Sequence, residues 1–269
     1  MTAANGIGSI ATSMGQVGLS VRGQGGTPLL FLHGVGSDRS AWDAQLEHFG
    51  EERTVLAIDL PGYGDSAAAP VGRDTRQHFA DVALAVLDAL DIAQAHVCGL
   101  SLGGVIAIAV ASRAPDRLAS LMLADSFARH PEGRAILERS LAGAGELGMA
   151  GLAENRVDAL LAQPADPALR RRVVATMSRI DPAAYARAAE AVWLADQRRE
   201  VAAIALPTLI LYGSQDQITP PPLSEELKLL IPHAALVEIA GAGHLPNLEQ
   251  PATFNRVVAA FLNHVEGEA

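Results

Sequence analysis

Three residues of types that act together in nucleophilic catalysis lie along the chain in a defined order. Ser101 lies in the stretch "HVCGLSLGGVIAIAVA", flanked by Gly99 and Gly103. Asp216 follows in "GSQDQITP", and His244 follows in "GAGHLPNLEQP". A serine hydroxyl is a weak nucleophile that needs a histidine base, and the histidine needs a carboxylate to orient its ring. The residue types and their order therefore predict a triad of Ser101, His244 and Asp216.

The glycines around Ser101 predict a sharp turn. Residues 99–103, "GLSLG", match the pattern G-x-S-x-G and lie between a strand-like and a helix-like apolar run. In such a nucleophile elbow the serine takes a strained backbone conformation, and Cβ atoms at the flanking positions would collide with the adjoining strand and helix. The turn lifts the hydroxyl to the carboxyl edge of a sheet, so we expect Ser101 to be the nucleophile.

The acid of the triad has one alternative in the sequence. Asp125 closes the strand that follows the helix after Ser101, and some hydrolases place their acid there. Asp216 has the more usual context, in the loop directly after the strand "TLILYG", and is favoured. Asp59, in "AIDLPGYGDS", is expected to fix a loop through its carboxylate.

Ester cleavage also needs hydrogen-bond donors aimed at the negative charge that develops on the carbonyl oxygen. The backbone N–H of Leu102, at the start of a helix, is predicted to be one donor. The loop "HGVGS" follows an apolar strand, and the N–H of Val35 is predicted to be the second. His33, at the start of that loop, is expected to brace it and not to act as a base.

The elements that must position these residues alternate between two kinds. Short apolar runs closed by Gly, Pro or Asp predict buried strands, and the segments between them show helical periodicity. This alternation predicts an α/β fold with a mostly parallel central sheet and helices on both faces. The predicted strands are Thr27–Gly34, Arg53–Gly62, Ala93–Gly99, Arg117–Asp125, Leu206–Gly213 and Ala234–Gly241.

The alternation is interrupted after the fourth of these strands. From residue 126 to residue 199 the chain contains helical pieces rich in Ala, Leu and Arg and no strand-like run. We expect residues 126–199 to form a helical cap inserted into a core domain made of residues 1–125 and 200–269.

Composition excludes several classes of partner. The formal net charge is −10 and aromatic residues make up 4 %, so neither a nucleic-acid partner nor an anionic membrane surface is expected. No apolar run approaches the length of a membrane span, and the N-terminal "MTAANGIGSIATSMGQ" lacks the features of a secretory signal. The single cysteine, Cys98, fits a reducing compartment. The expected location is the cytoplasm, and the sequence does not predict the oligomeric state.

Taken together, these motifs resemble the α/β-hydrolase superfamily over nearly the whole chain. Within it, "HVCGLSLGG", "PTLILYGSQDQITPP" and "GHLPNLEQPATFN" are similar to the 3-oxoadipate enol-lactonase group of small bacterial serine hydrolases. The resemblance implies hydrolysis of a small carboxylic ester or lactone through an acyl-enzyme on Ser101. C–C bond hydrolysis of ring-cleavage products and cofactor-free perhydrolase activity remain alternatives. No metal or organic cofactor is expected, because no metal-ligand or dinucleotide motif is present.

Two residues of the predicted cap are candidates for substrate binding. Between Ser126 and Glu200 eleven arginines accompany ten acidic residues, whereas the whole chain is strongly acidic. An arginine suits a substrate carboxylate because its planar fork donates two parallel hydrogen bonds. Arg129, which follows the strand nearest Ser101, is the first expectation for this role. Trp193 is expected to form a wall of the pocket, with packing inside the cap as the alternative.

Overall fold

The structure is a computed structural model that describes residues 6–70 and 75–267; residues 1–5 of the N-terminal stretch lie outside them. Within these ranges eight strands form one sheet in the order β1-β2-β4-β3-β5-β6-β7-β8. The strands are β1 (Gly6–Thr12), β2 (Gly15–Arg22), β3 (Leu29–Leu32), β4 (Val55–Ile58), β5 (Ala95–Leu100), β6 (Leu118–Ala124), β7 (Thr208–Gly213) and β8 (Ala235–Ile239).

The described ranges contain ten α-helices, of which α3 begins directly after a strand. They are α1 (Asp43–Phe49), α2 (Thr75–Ala89), α3 (Leu102–Arg113), α4 (Gly133–Leu160), α5 (Pro167–Ser178), α6 (Pro182–Trp193), α7 (Arg198–Ala202), α8 (Pro221–Leu230), α9 (Pro246–Glu249) and α10 (Pro251–Glu266).

The six predicted strands are confirmed, and they pair in parallel from β4 to β8. All residues of β3, β4 and β5 are buried, as expected for strands covered by helices on both faces. Side chains on the two faces belong to two separate apolar clusters. One cluster contains Phe31 stacked on Trp42, with ring centroids 4.5 Å apart. The predicted mostly parallel α/β sheet is therefore correct.

The hairpin of β1 and β2 was not predicted. It is antiparallel, and β2 pairs antiparallel with β4, so it extends the sheet on the side away from β8. Its sequences, "GIGSIAT" and "GQVGLSVR", contain glycine and serine at positions where strand-forming residues would signal a strand. The hairpin is remote from Ser101 in the strand order and does not change the position of the site.

The segment between β6 and β7 is helical, as the interrupted alternation predicted. It contains α4, α5 and α6, and α4 is broken at Gly148, where φ is +66°. The division into a core of residues 1–125 and 200–269 and a cap of residues 126–199 stays a prediction. In the described part of the chain no helix has both the length and the apolar character that crossing a membrane requires.

Candidate active site

Ser101 occupies the turn between β5 and α3, with φ +54° and ψ −113°. L-residues avoid this region of backbone space, so the conformation is strained. The surrounding structure holds it: the N–H of Ser101 donates to the carbonyl of Ala124 at 2.9 Å, and the hydroxyl of Ser126 donates to the carbonyl of Ser101 at 3.1 Å. The turn therefore has the strained geometry expected of a nucleophile elbow.

The flanking glycines allow this turn because two backbone segments approach them closely. A Cβ atom at Gly99 would collide with the backbone of Gly103, and a Cβ atom at Gly103 would collide with the carbonyl of Leu32. Neither neighbour is the flexible end of a side chain, so neither can move away cheaply. The sequence G-x-S-x-G is thus required here by the packing of α3 against β3 and β5.

His244 and Asp216 form a buried hydrogen-bonded pair. Nδ1 of His244 lies 2.8 Å from Oδ2 of Asp216, and both residues are 4 % exposed. The other Asp216 oxygen accepts the N–H groups of Ile218 and Thr219 at 2.7 and 3.1 Å, and the Thr219 hydroxyl donates to Oδ2 at 2.6 Å. Burial opposes a charge on Asp216, but the charge and hydrogen bond of His244 and the hydrogen bond of the Thr219 hydroxyl hold its pKa below the usual range. Asp216 is therefore an ionised acceptor that orients the imidazole.

Ser101 and His244 line the same cavity. The Ser101 hydroxyl oxygen is buried and has no hydrogen-bond partner among the described residues. Hydrogen bonds between nucleophile and base are often long without substrate and tighten in the substrate complex. With Nδ1 engaged by Asp216, Nε2 is the ring nitrogen of His244 left to serve as a base.

Asp125, the alternative acid, lies next to this pair instead of replacing Asp216 in it. Ligand atoms of Asp125, Asp216 and His244 all lie within 4.8 Å of one another. Oδ1 of Asp125 accepts the N–H of Gly213 at 2.8 Å, whereas the His244 ring nitrogen contacts Asp216. The geometry favours Asp216 as the residue that orients the base.

The predicted oxyanion donors lie where the loop after β3 meets the start of α3. Val35 lines the cavity with Ser101, and its carbonyl accepts the hydroxyl of Tyr63 at 2.8 Å. Leu102 is the first residue of α3, and the first N–H groups of a helix have no intrahelical acceptor. Both placements fit the prediction, which stays a proposal about function.

His33 braces this loop. Its Nδ1 lies 2.8 Å from the carbonyl oxygen of Gly34, and its Nε2 accepts the N–H of Leu60 at 2.9 Å. Burial lowers its pKa despite the nearby charge of Asp59, so the ring is neutral, with Nδ1 as the donor. Both ring nitrogens are occupied by backbone groups, which leaves none to act as a base.

Asp59 fixes the loop after β4, as expected. It accepts the N–H of Arg39 at 2.9 Å and the N–H of Asp65 at 3.0 Å, and it pairs with the Arg39 guanidinium. These contacts are structural and lie outside the cavity that contains Ser101.

The cavity over Ser101 has a volume of about 40 Å³ and is mostly apolar. Trp193 is part of its wall and is also stacked on Phe127, with centroids 5.9 Å apart. The polar side chains that the segment between β6 and β7 places at the cavity are Arg156, Arg172 and Thr176, and the apolar ones include Leu160 and Val173.

Arg129 is not at the cavity, which corrects the expectation for this residue. It is exposed and forms an isolated β-bridge with Asp196. The bridge to Asp196 pairs this part of the chain with the segment before α7, and Arg129 is not among the residues that line the cavity with Ser101. The position of β6 next to β5 in the sheet therefore did not predict where the side chain of Arg129 lies.

Three residues next to the predicted site were not predicted from the sequence. Thr219 binds Asp216, and Arg156 lines the cavity. Glu249 accepts the N–H groups of Gly243 at 2.8 Å and Ala162 at 2.7 Å, which ties the loop carrying His244 to the end of α4. The Thr219 signal was available, since it lies three residues after Asp216 in the same turn. The other two depend on contacts between distant segments.

Metal-ligating side chains come together at one place in the described residues, namely Asp125, Asp216 and His244. Both oxygens of Asp216 already accept protein N–H or O–H donors. A metal ion there would have to displace these donors and the His244 ring. The arrangement is that of a hydrogen-bond network and does not offer an open coordination shell.

Comparison with known proteins identifies relatives across most of the chain. The profile of the alpha/beta hydrolase family matches residues 29–257. The 3-oxoadipate enol-lactonase 2 of Acinetobacter baylyi is 29 % identical over 89 % of this chain and 90 % of its own length. The structure of a thermophilic esterase from Thermogutta terrifontis, with malate bound, is 31 % identical with a TM-score of 0.87, covering 97 % of this chain and 99 % of that one.

A third relative is longer than this protein. The dihydrolipoyllysine-residue acetyltransferase component of the acetoin cleaving system of Pseudomonas putida is 34 % identical over 250 residues, 89 % of this chain. This chain spans 64 % of the length of that relative. The family profile covers most of the chain, and the sheet is mostly parallel with helices around it, as the sequence motifs predicted. The chain therefore belongs to the alpha/beta hydrolase family.

Proposed function

We propose that the protein is a serine hydrolase that cleaves a small carboxylic ester or lactone through an acyl-enzyme. The observation that carries this proposal is the strained Ser101 hydroxyl in one cavity with His244, whose other ring nitrogen is held by Asp216 at 2.8 Å. The relatives named as an esterase and an enol-lactonase support the choice of an ester bond.

The reaction proceeds in two acyl transfers. Nε2 of His244 takes the Ser101 proton as Oγ attacks the carbonyl carbon, and the tetrahedral oxyanion accepts hydrogen bonds from the N–H groups of Val35 and Leu102. Asp216 stabilises the imidazolium. Collapse breaks the bond to the alkoxy oxygen, which receives the proton from His244. Water then attacks the acyl-enzyme with His244 as base, and collapse breaks the bond to Oγ of Ser101, which recovers its proton from His244 as the carboxylic acid leaves. For a lactone, the alcohol and the acid are one product.

A burst experiment with p-nitrophenyl acetate tests the proposal. We expect one equivalent of p-nitrophenolate at the rate of acylation and an intact-mass increase of one acetyl group, located on Ser101 by peptide mapping. The Ser101→Ala variant should show neither. An acetyl group on another residue, or turnover in Ser101→Ala within tenfold of wild type, would contradict the serine-hydrolase proposal.

A substrate panel separates this reaction from the two alternatives. Simple esters, enol-lactones and vinylogous diketones should be compared by kcat/KM, and peroxyacid formation should be measured with hydrogen peroxide present. We expect the esters or lactones to exceed the diketones. A dominant rate with the diketones would assign C–C bond hydrolysis, and a dominant rate with peroxide would assign perhydrolase activity.

We also propose that the substrate carries a carboxylate held by Arg156, which takes the place first expected for Arg129. Arg156 lines the cavity and donates to the hydroxyls of Ser140 and Tyr185 at 2.8 and 3.3 Å. None of the ion pairs among the described residues includes Arg156, whereas the other cavity arginine, Arg172, pairs with Asp43 at 3.1 Å.

A half-buried guanidinium with only neutral partners favours an anion. The indole Nε1 of Trp193, on the same cavity wall, is buried without an acceptor among the described residues, and it offers a further donor. The remaining lining is mostly apolar, so a small acid with a hydrocarbon chain fits this environment.

Half-esters test the role of Arg156. The monomethyl and dimethyl esters of one dicarboxylic acid differ by a charge and a methyl group. We expect wild type to prefer the monomethyl ester by about 10- to 100-fold in kcat/KM, the worth of a hydrogen bond to a charged group. Arg156→Gln should remove the preference, mainly through KM, and Arg129→Gln should keep it. Wild type without a preference, or equal loss in both variants, would contradict the assignment.

The division into core and cap and the cytoplasmic location belong to the same proposal. Helices from the segment 126–199 supply Arg156, Arg172 and Trp193 to the cavity, which supports a role for that segment as a substrate-binding cap on a core of residues 1–125 and 200–269. Cys98, the only cysteine, is a free thiol buried in β5, which supports a reducing compartment.

A further inference from the structure

Asp125 is a buried carboxyl group that the proposed reaction does not use. It follows β6 directly, is fully buried and has φ +41°, a left-handed conformation that Asp and Asn tolerate better than other side chains. Its N–H donates to the carbonyl of Leu211 at 2.9 Å. The backbone is thereby tied to β7, and the side chain is held beside the residues that follow β7.

The two oxygens of the Asp125 carboxyl group have different surroundings. Oδ1 accepts the N–H of Gly213 at 2.8 Å. Oδ2 is buried and has no N–H or O–H donor among the described residues, and the carboxyl group lies against the carboxylate of Asp216. A buried oxygen without a donor is costly as an anion, whereas an oxygen that carries a proton can donate to a neighbouring acceptor.

Charge decides which of the two carboxyl groups holds that proton. Asp216 faces His244 and accepts the donors of Ile218 and Thr219, which stabilise its anion. The titratable groups facing Asp125 are Asp216, His244 and Glu249, and Asp216 and Glu249 oppose a further negative charge. Burial first, and then the charge of Asp216, raise the pKa of Asp125 well above its usual range.

We propose that Asp125 is a positioning residue, a neutral carboxylic acid that accepts the N–H of Gly213 and donates its Oδ2 proton to the Asp216 carboxylate. The bond fixes Asp216 beside His244 without adding a second charge to the site. This role rests on the proposed function only in that it serves the same Asp216 and His244. When two adjacent carboxyl groups share one proton, one of them is a neutral acid and the other is a carboxylate.

Substitutions of Asp125 by Asn and by Ala distinguish the effect of its hydrogen-bond donor from the effect of a charge at this position. In Asp125→Asn, the amide can donate to Asp216 and accept from Gly213, so kcat/KM for p-nitrophenyl acetate should stay within about threefold of wild type. Asp125→Ala removes the donor and should lose about 10- to 100-fold, mainly in kcat, because a small displacement of the acid misaligns the base. Asp216→Asn, the matched control, should lose far more than Asp125→Asn.

The pH profile distinguishes a neutral from an ionised Asp125. If Asp125 is neutral, Asp125→Asn removes no charge, and the acid limb of kcat/KM should move by less than about 0.3 pH units. An ionised Asp125 would stabilise the protonated histidine, and its replacement by Asn would shift the limb to lower pH. A downward shift of about one unit or more would overturn the proposal.

Infrared difference spectra give a readout that requires no catalysis. Wild type minus Asp125→Asn at pH 7 should show the carbonyl stretch of a protonated carboxylic acid, and the band should move on exchange into deuterium oxide. Absence of that band in folded protein, with folding checked by circular dichroism, would overturn the proposal even if Asp125→Ala fails to fold. The band is expected whether or not p-nitrophenyl acetate is turned over, so its absence and a failure of the proposed function are distinguishable.

Discussion

Buried polar side chains at the amino ends of the strands (the amino edge of the sheet) are paired differently from those at the carboxyl ends (the carboxyl edge). At the amino edge, Arg53 donates to both oxygens of Glu266 at 2.7 and 2.9 Å, and Nε2 of His96 lies 2.9 Å from the same carboxylate. Nδ1 of His96 lies 2.7 Å from the hydroxyl of Ser120. These four side chains are partnered with one another and join the end of α10 to the starts of β4, β5 and β6; Nε of Arg53 is their one buried polar atom without an acceptor among the described residues.

At the carboxyl edge, several buried polar atoms have no hydrogen-bond partner among the described residues. The Ser101 hydroxyl, Oδ2 of Asp125 and Nε1 of Trp193 have no conventional partner among the described residues. Ser101 and Asp125 also have positive φ. Since unpartnered groups and strained residues each cost free energy, this edge is held in place by the rest of the fold.

The comparison indicates that stability and reactivity are located at opposite ends of the same strands. Residues only a few positions apart along β5 and β6 differ in their expected roles. Those near the start of each strand belong to the amino-edge cluster, and those just after its end are the proposed reactive and positioning groups. Substitutions at the two edges should therefore separate into those that lower activity and those that lower the free energy of unfolding.

Two buried serines give the largest expected contrast. Ser101→Ala should lower kcat by about 10⁴- to 10⁶-fold, because triad members act as a unit, and its thermal midpoint should not fall, because no hydrogen bond of the hydroxyl is lost. Ser120→Ala should leave kcat unchanged and lower the free energy of unfolding by about 1 kcal/mol through the bond to His96. Steady-state kinetics and thermal melts measure both. A Ser120→Ala enzyme with a large loss of kcat would contradict the separation of roles.

The ion pair of Glu266 gives an intermediate effect that depends on pH. Hydrogen bonding to Arg53 lowers the pKa of Glu266. The pair therefore stabilises the fold above the ordinary glutamate pKa of about 4.3, and this stabilisation is lost as pH falls through the lower folded value. Glu266→Gln should lower the free energy of unfolding by about 1–3 kcal/mol at pH 7, since the side chain of Arg53 is only 7 % exposed. The difference between wild type and variant should shrink towards pH 3 in denaturant titrations.

An exposed pair is the matched control for Glu266. Glu154 pairs with Arg170 at 3.0 Å on the surface, so Glu154→Gln should change the free energy of unfolding far less than Glu266→Gln does. Equal effects at Glu154 and Glu266 would show that the amino-edge cluster contributes no more than a surface pair.

The smallest expected effect is at Cys98, which should not react with thiol reagents in the native protein. The thiol is fully buried in β5, and burial raises its pKa, so the thiolate that reacts with disulfide reagents is not formed. Native protein should show no labelling by a thiol reagent over the time in which urea-unfolded protein is fully labelled. Rapid labelling of native protein would mean that β5 opens locally, close to Ser101.

The elements near Ser101 were predictable because their determinants are local. The apolar runs of β3 to β8, the glycines around Ser101 and the positions of Asp216 and His244 just after strands are all features of short stretches. The β1–β2 hairpin lacks such a signal, because its stability comes from pairing with β4 at the sheet edge.

The substrate side of the site was less predictable. Whether Arg129 or Arg156 reaches the cavity depends on the path of the chain after β6 and on the packing of α4 against α5 and α6. Helical periodicity identifies a buried face without identifying what it covers. The relation of Asp125 to Asp216 likewise depends on two strands that pair although 91 positions separate these residues in the numbering.

The pairing of β6 with β7 has a consequence for protein engineering. Ala124 pairs with Leu211 in register, and the helical segment leaves the sheet after β6 and returns just before β7. The segment therefore leaves from the carboxyl end of β6 and returns at the amino end of β7, and the isolated β-bridge between Arg129 and Asp196 makes residues 129 and 196 neighbours. A chimera that exchanges this segment for that of a relative keeps the β6–β7 register, so the reacting groups of the parent can be combined with a new binding surface, provided that the graft preserves the contacts of Leu160 and Ala162 with the loop carrying His244.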